Sequence, residues 1–146
     1  MASPVQNNQS SQLLVGIDAG STTAKIAVMD AASHEMLMRR YVRHHAQQAN
    51  CLKSLLAELD QRFEGIPMRA ALCGSGGAAL AEALDLPYVQ EVVANSLAVG
   101  ANYPTARTAI ELGGQDAKMI FFKFDNEANC LSVADMRMNG SCAGGT

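Results

Sequence analysis

Tryptophan is absent from this 146-residue chain, only 5% of its residues are aromatic, and proline occurs 4 times. A core without large rings has to be assembled from Ala, Leu, Val, Ile and the 8 methionines. Charge is also scarce. Asp, Glu, Lys and Arg make up 17% of the chain, against ~25% in an ordinary soluble domain. With 49% hydrophobic residues there is enough apolar surface to bury, which excludes intrinsic disorder. Lys and Arg number 11 against 14 Asp and Glu, a net charge of −3 with a pI near 5.5. No global basic field exists, and non-specific binding to nucleic acid or anionic membranes is excluded with it.

Long apolar runs are missing too. Residues 1–12 are polar with no basic start, so they are no signal peptide and read as a disordered tail. The longest later uncharged stretch, residues 92–106, is interrupted by Asn95, Ser96, Asn102 and Pro104 and cannot span a bilayer. A cytoplasmic protein with no membrane partner is the expectation. No C-x-x-C pair occurs among Cys51, Cys73, Cys130 and Cys142, which argues against a self-contained zinc site. In a reducing compartment a disulfide framework is not expected either. Cys51, in a helical pattern, and Cys73, at the end of an apolar strand, read as core residues. Cys142 differs: Asn139-Gly140-Ser141-Cys142-Ala143-Gly144-Gly145-Thr146 is a small-residue loop with nothing to pack on it. There is no G-x-x-x-x-G-K-[ST] sequence, so a P-loop NTPase is excluded.

The apolar pattern predicts strands over 13–17, 23–29 and 35–42, joined by turns at 18–21 and 30–33, an antiparallel meander. Residues 48–63 change period: Leu52, Leu55, Leu56, Leu59 and Phe63 recur at helical spacing. A strand over 68–73, a glycine loop, a helix over 78–84, a strand over 88–92 and a helix over 93–102 follow. Then come strands over 108–112, 117–124 and 130–137, and the Cys142 loop. Strands alternating with helices predict an α/β layer structure.

The sequence repeats itself. Gly16-Ile17-Asp18-Ala19-Gly20-Ser21-Thr22-Thr23-Ala24-Lys25-Ile26 returns 93 residues later as Ala109-Ile110-Glu111-Leu112-Gly113-Gly114-Gln115-Asp116-Ala117-Lys118-Met119. Each copy is a strand, a glycine turn and a second strand. The period is too long for a solenoid unit of ~20–50 residues and suits two similar subdomains face to face. Glycine turns let backbone N–H groups approach an anion closely. The Ser21, Thr22 and Thr23 hydroxyls add neutral donors, the acids can hold Mg²⁺ through waters, and a lysine supplies a point charge for phosphate. Two such hairpins on opposing walls could clamp a triphosphate.

Asp18-Ala19-Gly20-Ser21-Thr22 resembles the first phosphate loop of the actin, hexokinase and heat-shock chaperone superfamily. Glu111-Leu112-Gly113-Gly114-Gln115-Asp116 resembles its second. Together with Lys118 and the Cys142 loop, the chain resembles the activator ATPases of 2-hydroxyacyl-CoA dehydratases and the ATPase subunits of benzoyl-CoA reductase. The resemblance implies a ribonuclease-H-like duplicated fold (actin-like ATPase). Residues 13–105 would be its first subdomain and residues 106–146 the truncated start of a second. It implies a homodimer that shares one [4Fe–4S] cluster, with Cys142 as the first cluster cysteine. It also implies ATP hydrolysis that drives an electron to a dehydratase partner. The sites follow the motifs. Asp18, Gln115 and Asp116 would be catalytic, with Asp18 and Asp116 on Mg²⁺ through water. Gly20, Ser21, Thr22, Thr23, Lys25, Gly113, Gly114, Gln115 and Lys118 would hold ATP or ADP. Two departures are visible: Glu111 stands where the family has Asp, and Asn95 where it often has His.

Other readings stay open. A small-molecule kinase of the same superfamily would need an acceptor pocket between the lobes. A non-catalytic dimerisation or sensor module would keep the hairpins alone. Gly74-Ser75-Gly76-Gly77-Ala78-Ala79 fits a dinucleotide fingerprint, without the acid ~20 residues on that such sites need; tight packing of a helix start is its plainer reading. Arg39-Arg40-Tyr41-Val42-Arg43-His44-His45 reads as a solvated strand edge, with a docking surface for an acidic partner as the sharper alternative. The chain is expected to be the N-terminal part of a longer ATPase, inactive alone, with Met119, Phe121 and Phe122 exposed for want of a partner layer.

Overall fold

The computed structural model describes residues 12–113 and 116–139. Strands β1 (Leu13–Ala19), β2 (Thr23–Asp30) and β3 (Met36–Arg43) form the expected antiparallel meander. Helix α1 (Gln48–Arg62) then crosses the sheet, and β4 (Met68–Cys73) pairs parallel with β1. The sheet order is β3-β2-β1-β4. Two helices follow, α2 (Gly77–Ala83) and α3 (Glu91–Asn102). Strands β5 (Thr108–Leu112), β6 (Ala117–Asp125) and β7 (Cys130–Met138) make a second, antiparallel sheet in that order.

The core sits on one face of the first sheet. Leu13, Val15 and Ile17 of β1 and Ala24, Ile26 and Val28 of β2 meet Leu52, Leu55 and Leu59 from α1 and Phe63 at its C-cap. Each fully buried aliphatic chain of this kind contributes roughly 1.5–3 kcal/mol. Arg62 lies in the last turn of α1, where a cation suits the helix dipole. In the second sheet Ile120, Phe122 and Leu131 pack under α3 against Val92, Val99, Ala106 and Ala109.

Three expectations need correction. Residues 88–92 do not form a strand: Tyr88 makes one isolated parallel bridge to Leu72, and the chain turns helical at Glu91. The β-like residues Val89, Val92 and Val93 serve the bridge and α3 instead, because Gln90 caps the helix in extended conformation. Asp18 and Ala19 belong to β1, opposite Lys25 and Ala24, because the cross-strand partner offsets the carboxylate and lets the ladder run on. Phe122 is buried. A register shift between Phe121 and Phe122 accompanies its turn toward α3; Met119 is exposed as expected, Phe121 is half-buried, and Ile110 and Leu112 lie further out, 65% and 76% exposed.

Candidate functional site

The strand repeat is also a structural repeat. In the first hairpin the Gly20 N–H donates to the Thr23 carbonyl at 3.0 Å; in the second the Gly113 N–H donates to the Asp116 carbonyl at 2.8 Å. These positions correspond in the sequence repeat. A Cβ at Gly20 would lie 2.9 Å from the Thr23 oxygen, and one at Gly113 would lie 3.0 Å from the Asp116 oxygen. Each turn therefore closes too tightly for a side chain. The strand pairings match as well: Asp18 faces Lys25 across β1–β2, and Glu111 faces Lys118 across β5–β6.

Both hairpin mouths open on one cavity of about 380 Å³. Asp18, Gly20, Ser21, Thr22, Thr23 and Lys25 line it from the first hairpin, and Glu111, Gly113 and Asp116 from the second. The backbone N–H groups of Ser21 and Thr22 donate to no protein acceptor among the described residues. They are therefore available to an anion in the cavity. Lys118 does not line the cavity wall but is held just behind it, through its partners. Gly114, Gln115 and Cys142 lie outside the described residues.

Two lysines set the electrostatics. Lys25 Nζ is 2.5 Å from Asp18 Oδ2. Burial pulls the Lys25 pKa down, but the hydrogen bond and charge of Asp18 outweigh it and leave the pKa above the ordinary lysine value. Lys118 is 9% exposed. Its Nζ lies 2.9 Å from Glu91, 3.4 Å from Asp116 and 3.7 Å from Glu111. Burial again lowers its pKa, and Glu91 and Glu111, followed by Asp116, raise it further than burial lowers it. One ammonium thus faces three carboxylates, an excess of negative charge that a divalent cation would offset. Oxygen donors of this kind are what Mg²⁺ takes, usually keeping several waters. No three His, Cys, Asp or Glu side chains are grouped to hold a metal directly among the described residues. The residues thus fit an ion held through water and carried in with phosphate.

Several wall residues have no site role in the sequence, Asn95 included, which stands out there only as a departure from the family pattern. Glu91 comes from the first turn of α3, and Asn95, one turn on, donates to Glu111 at 3.4 Å. Cys73 is not a core residue. It follows Leu72 at the end of β4, opposite Asp18 in the parallel ladder, and lines the cavity with Ser75. Burial, then the charges of Asp18 and Glu91, push its thiol up to about 11. Alternation along β4 was the available signal, since Leu72 faces the core and its neighbour must face away. The Gly74-Ser75-Gly76-Gly77 loop behaves as a packing device. Gly74 has φ +94°, and a Cβ there would come 2.5 Å from Asp18 Oδ1. In the basic segment, Arg40 pairs with Glu58 of α1 at the exposed sheet edge, but His44 is buried. The described cysteines do not converge: Cys51 packs on the core, Cys73 faces the cavity and Cys130 is exposed on β7.

The sequence model of the BadF/BadG/BcrA/BcrD ATPase family matches residues 15–146. The chain belongs to that family. Among curated proteins, none matches this sequence significantly. Solved structures agree on the fold of this BadF/BadG/BcrA/BcrD-type chain. Component A of (R)-2-hydroxyglutaryl-CoA dehydratase from Acidaminococcus fermentans superposes with a TM-score of 0.67 at 22% identity, over 88% of this chain and 48% of that one. The activator of 2-hydroxyisocaproyl-CoA dehydratase from Clostridium difficile, solved with bound ADPNP, gives 0.60 at 21%, over 87% and 45%. Ethanolamine utilization protein EutJ from Carboxydothermus hydrogenoformans gives 0.60 at 15%, over 97% and 53%. The expected ribonuclease-H-like, actin-like ATPase fold is therefore present. The chain spans about half the length of these solved structures. No helix among the described residues is long and apolar enough to cross a membrane.

Proposed function

We propose that this chain carries the phosphate-binding hairpins of an ATPase, with Mg²⁺-ATP phosphates lying between Asp18–Thr23 and Gly113–Lys118. The observation that carries this reading is the convergence of both hairpin mouths, each closed by the same backbone bond and backed by an acid–lysine pair, on one cavity. Ser21 and Thr22 amides and the Ser21, Thr22 and Thr23 hydroxyls take phosphate oxygens, and Gly20, Gly113 and Gly114 let the backbone come close. Lys25 exchanges a carboxylate for a phosphate oxygen as the anion arrives, and Lys118 adds its charge from behind the wall through Glu91, Glu111 and Asp116. Asp18 and Asp116 would hold Mg²⁺ through water and order the attacking water, the ion would supply charge neutralisation, and Gln115 would place that water or the γ-phosphate. Such a site catalyses by positioning and charge stabilisation, with no covalent enzyme intermediate.

The finer reading is a cytoplasmic, homodimeric activator that couples ATP hydrolysis to electron delivery from a shared [4Fe–4S] cluster to a 2-hydroxyacyl-CoA dehydratase-type protein. Family membership and the two dehydratase-component neighbours support it. Cys142 is its cluster ligand, since such clusters take cysteine thiolates and small neighbours leave room for one. Residues 13–105 act as the first subdomain and 106–146 as the opening of the second. In a protein extended beyond Thr146, Asp18→Ala and Asp116→Asn should each cut hydrolysis by more than tenfold; rates within twofold of wild type in both overturn the phosphate assignment. Cys142→Ser should lower the iron content after anaerobic reconstitution, and unchanged iron discards the cluster assignment.

A further inference from the structure

We infer that His44 and Gln48 are positioning residues that aim the Ser21 N–H at a polyphosphate, by holding the carbonyl of the same peptide unit from behind. The inference rests on the phosphate reading of the first hairpin. Two side-chain donors converge on one backbone oxygen: His44 Nε2 lies 3.1 Å from the Gly20 carbonyl and Gln48 Nε2 lies 2.7 Å from it. A carbonyl only accepts, so His44 carries a proton on Nε2. The peptide bond is planar and trans, so the Gly20 C=O and the Ser21 N–H point in opposite directions. Pinning the oxygen toward α1 therefore turns the Ser21 N–H away from α1, on a residue that lines the cavity. A flip of this peptide would aim an oxygen at the anion instead.

Neighbouring contacts make the brace continuous. The Ala19 carbonyl accepts from Gly76 N–H at 2.8 Å and the Thr22 carbonyl from His44 N–H at 3.2 Å. A Cβ at Gly76 would lie 2.6 Å from Gln48 Nε2 and would push that side chain off its bond. Packing does not explain His44. Its ring is buried at 7% exposure, and its Nδ1 has no partner among the described residues. Burying that nitrogen unpaired is unfavourable, and an apolar ring would avoid the loss. What the imidazole contributes is the bond to Gly20.

The test is an NMR titration of the 146-residue chain with Mg²⁺-ATP and with Mg²⁺-tripolyphosphate, following the Ser21 and Thr22 amides. Adenosine serves as the control ligand, and thermal midpoints are recorded for each variant. Gln48→Met and His44→Phe keep volume and lose the donor. Each should weaken both polyphosphates by about fivefold, the size of one neutral hydrogen bond, with the midpoint held or raised. His44→Gln, which restores a donor, should recover most of the affinity; a packing role predicts the reverse order of the two His44 variants. The double variant should lose less than the product, because both donors hold one oxygen. Should Gln48→Met not fold, Gln48→Leu replaces it with the same expectation. Wild-type binding matched within twofold by the donor-free variants overturns the brace alone. No polyphosphate shift at Ser21 and Thr22 in the wild type overturns the phosphate reading, and the brace with it.

Discussion

Glu91 and Lys118 meet at 2.9 Å although they stand 27 positions apart, one in the first turn of α3 and the other on β6. The contact ties the helix to the second glycine hairpin and keeps a buried ammonium among acids. It makes α3 part of the cavity wall and gives the second hairpin a charge arrangement that the first does not share. There, among the described residues, Lys25 pairs with one carboxylate, that of Asp18, and lies over the Tyr41 ring.

Removing the ammonium should therefore be costly. Lys118→Met leaves Glu91, Glu111 and Asp116 facing one another around an apolar group. Chemical denaturation should show a loss of about 1–3 kcal/mol, the range for losing a hydrogen bond to a charged group. Adding Mg²⁺ should restore more stability to this variant than to wild type.

Gly74→Ala tests the link between the glycine loop and Asp18. The new Cβ meets Asp18 Oδ1 and the Ala19 backbone at φ +94°, a conformation that only glycine adopts without strain. Stability should fall by about 1–3 kcal/mol, and Mg²⁺-ATP binding should weaken as the carboxylate is displaced. Equal affinity in titrations of the two proteins would show that Asp18 is not held by this loop.

Leu55→Ala probes the first core. Leu55 is 5% exposed and sits between Leu52 and Leu59 on the buried stripe of α1. A cost of roughly 2–5 kcal/mol is expected from lost transfer energy and the cavity left behind. Urea unfolding reads it directly, and a smaller shift would mean that α1 closes down over the gap.

The Cys73 thiol supplies a pH prediction. Its folded value is raised from 9.0 to about 11, so the folded state holds the proton more tightly than the unfolded chain does. The resulting stability is fully present below pH 9.0 and is lost as pH rises through about 11. Cys73→Ala should flatten the fall in stability over that window. At pH 8 only about one thiol in a thousand is ionised, so iodoacetamide should label Cys73 slowly, and Mg²⁺-ATP should slow it further.

Isothermal titration of the 146-residue chain with Mg²⁺-ATP should give weak binding and no phosphate release. The chain spans about half the length of the solved structures it resembles. Micromolar affinity with turnover would place the functional unit within these residues.

Local pattern and repetition were enough to determine much of this molecule. Apolar and β-branched runs broken by turns wrote the β1–β2–β3 meander, the 3.6-residue period wrote α1, and the second copy of the acid–glycine–lysine pattern marked both hairpins, on which the phosphate proposal rests. Those signals are short-range, and a side chain's face follows directly from its position in a strand or helix. The rest depended on which elements come together. Residues 88–92 look β-like, yet one bridge to Leu72 satisfies them and the chain is free to turn helical at Glu91. Cys73 reads as core until the parallel pairing of β4 with β1 sets it opposite Asp18. His44 and Gln48 carry no signal of a role, because what they hold is a backbone oxygen on a turn 24 and 28 residues earlier. A hydrogen bond to a main-chain carbonyl leaves no mark on the identity of the residue that owns the carbonyl. Only the packing of α1 and the loop before it against the β1–β2 turn decides that contact.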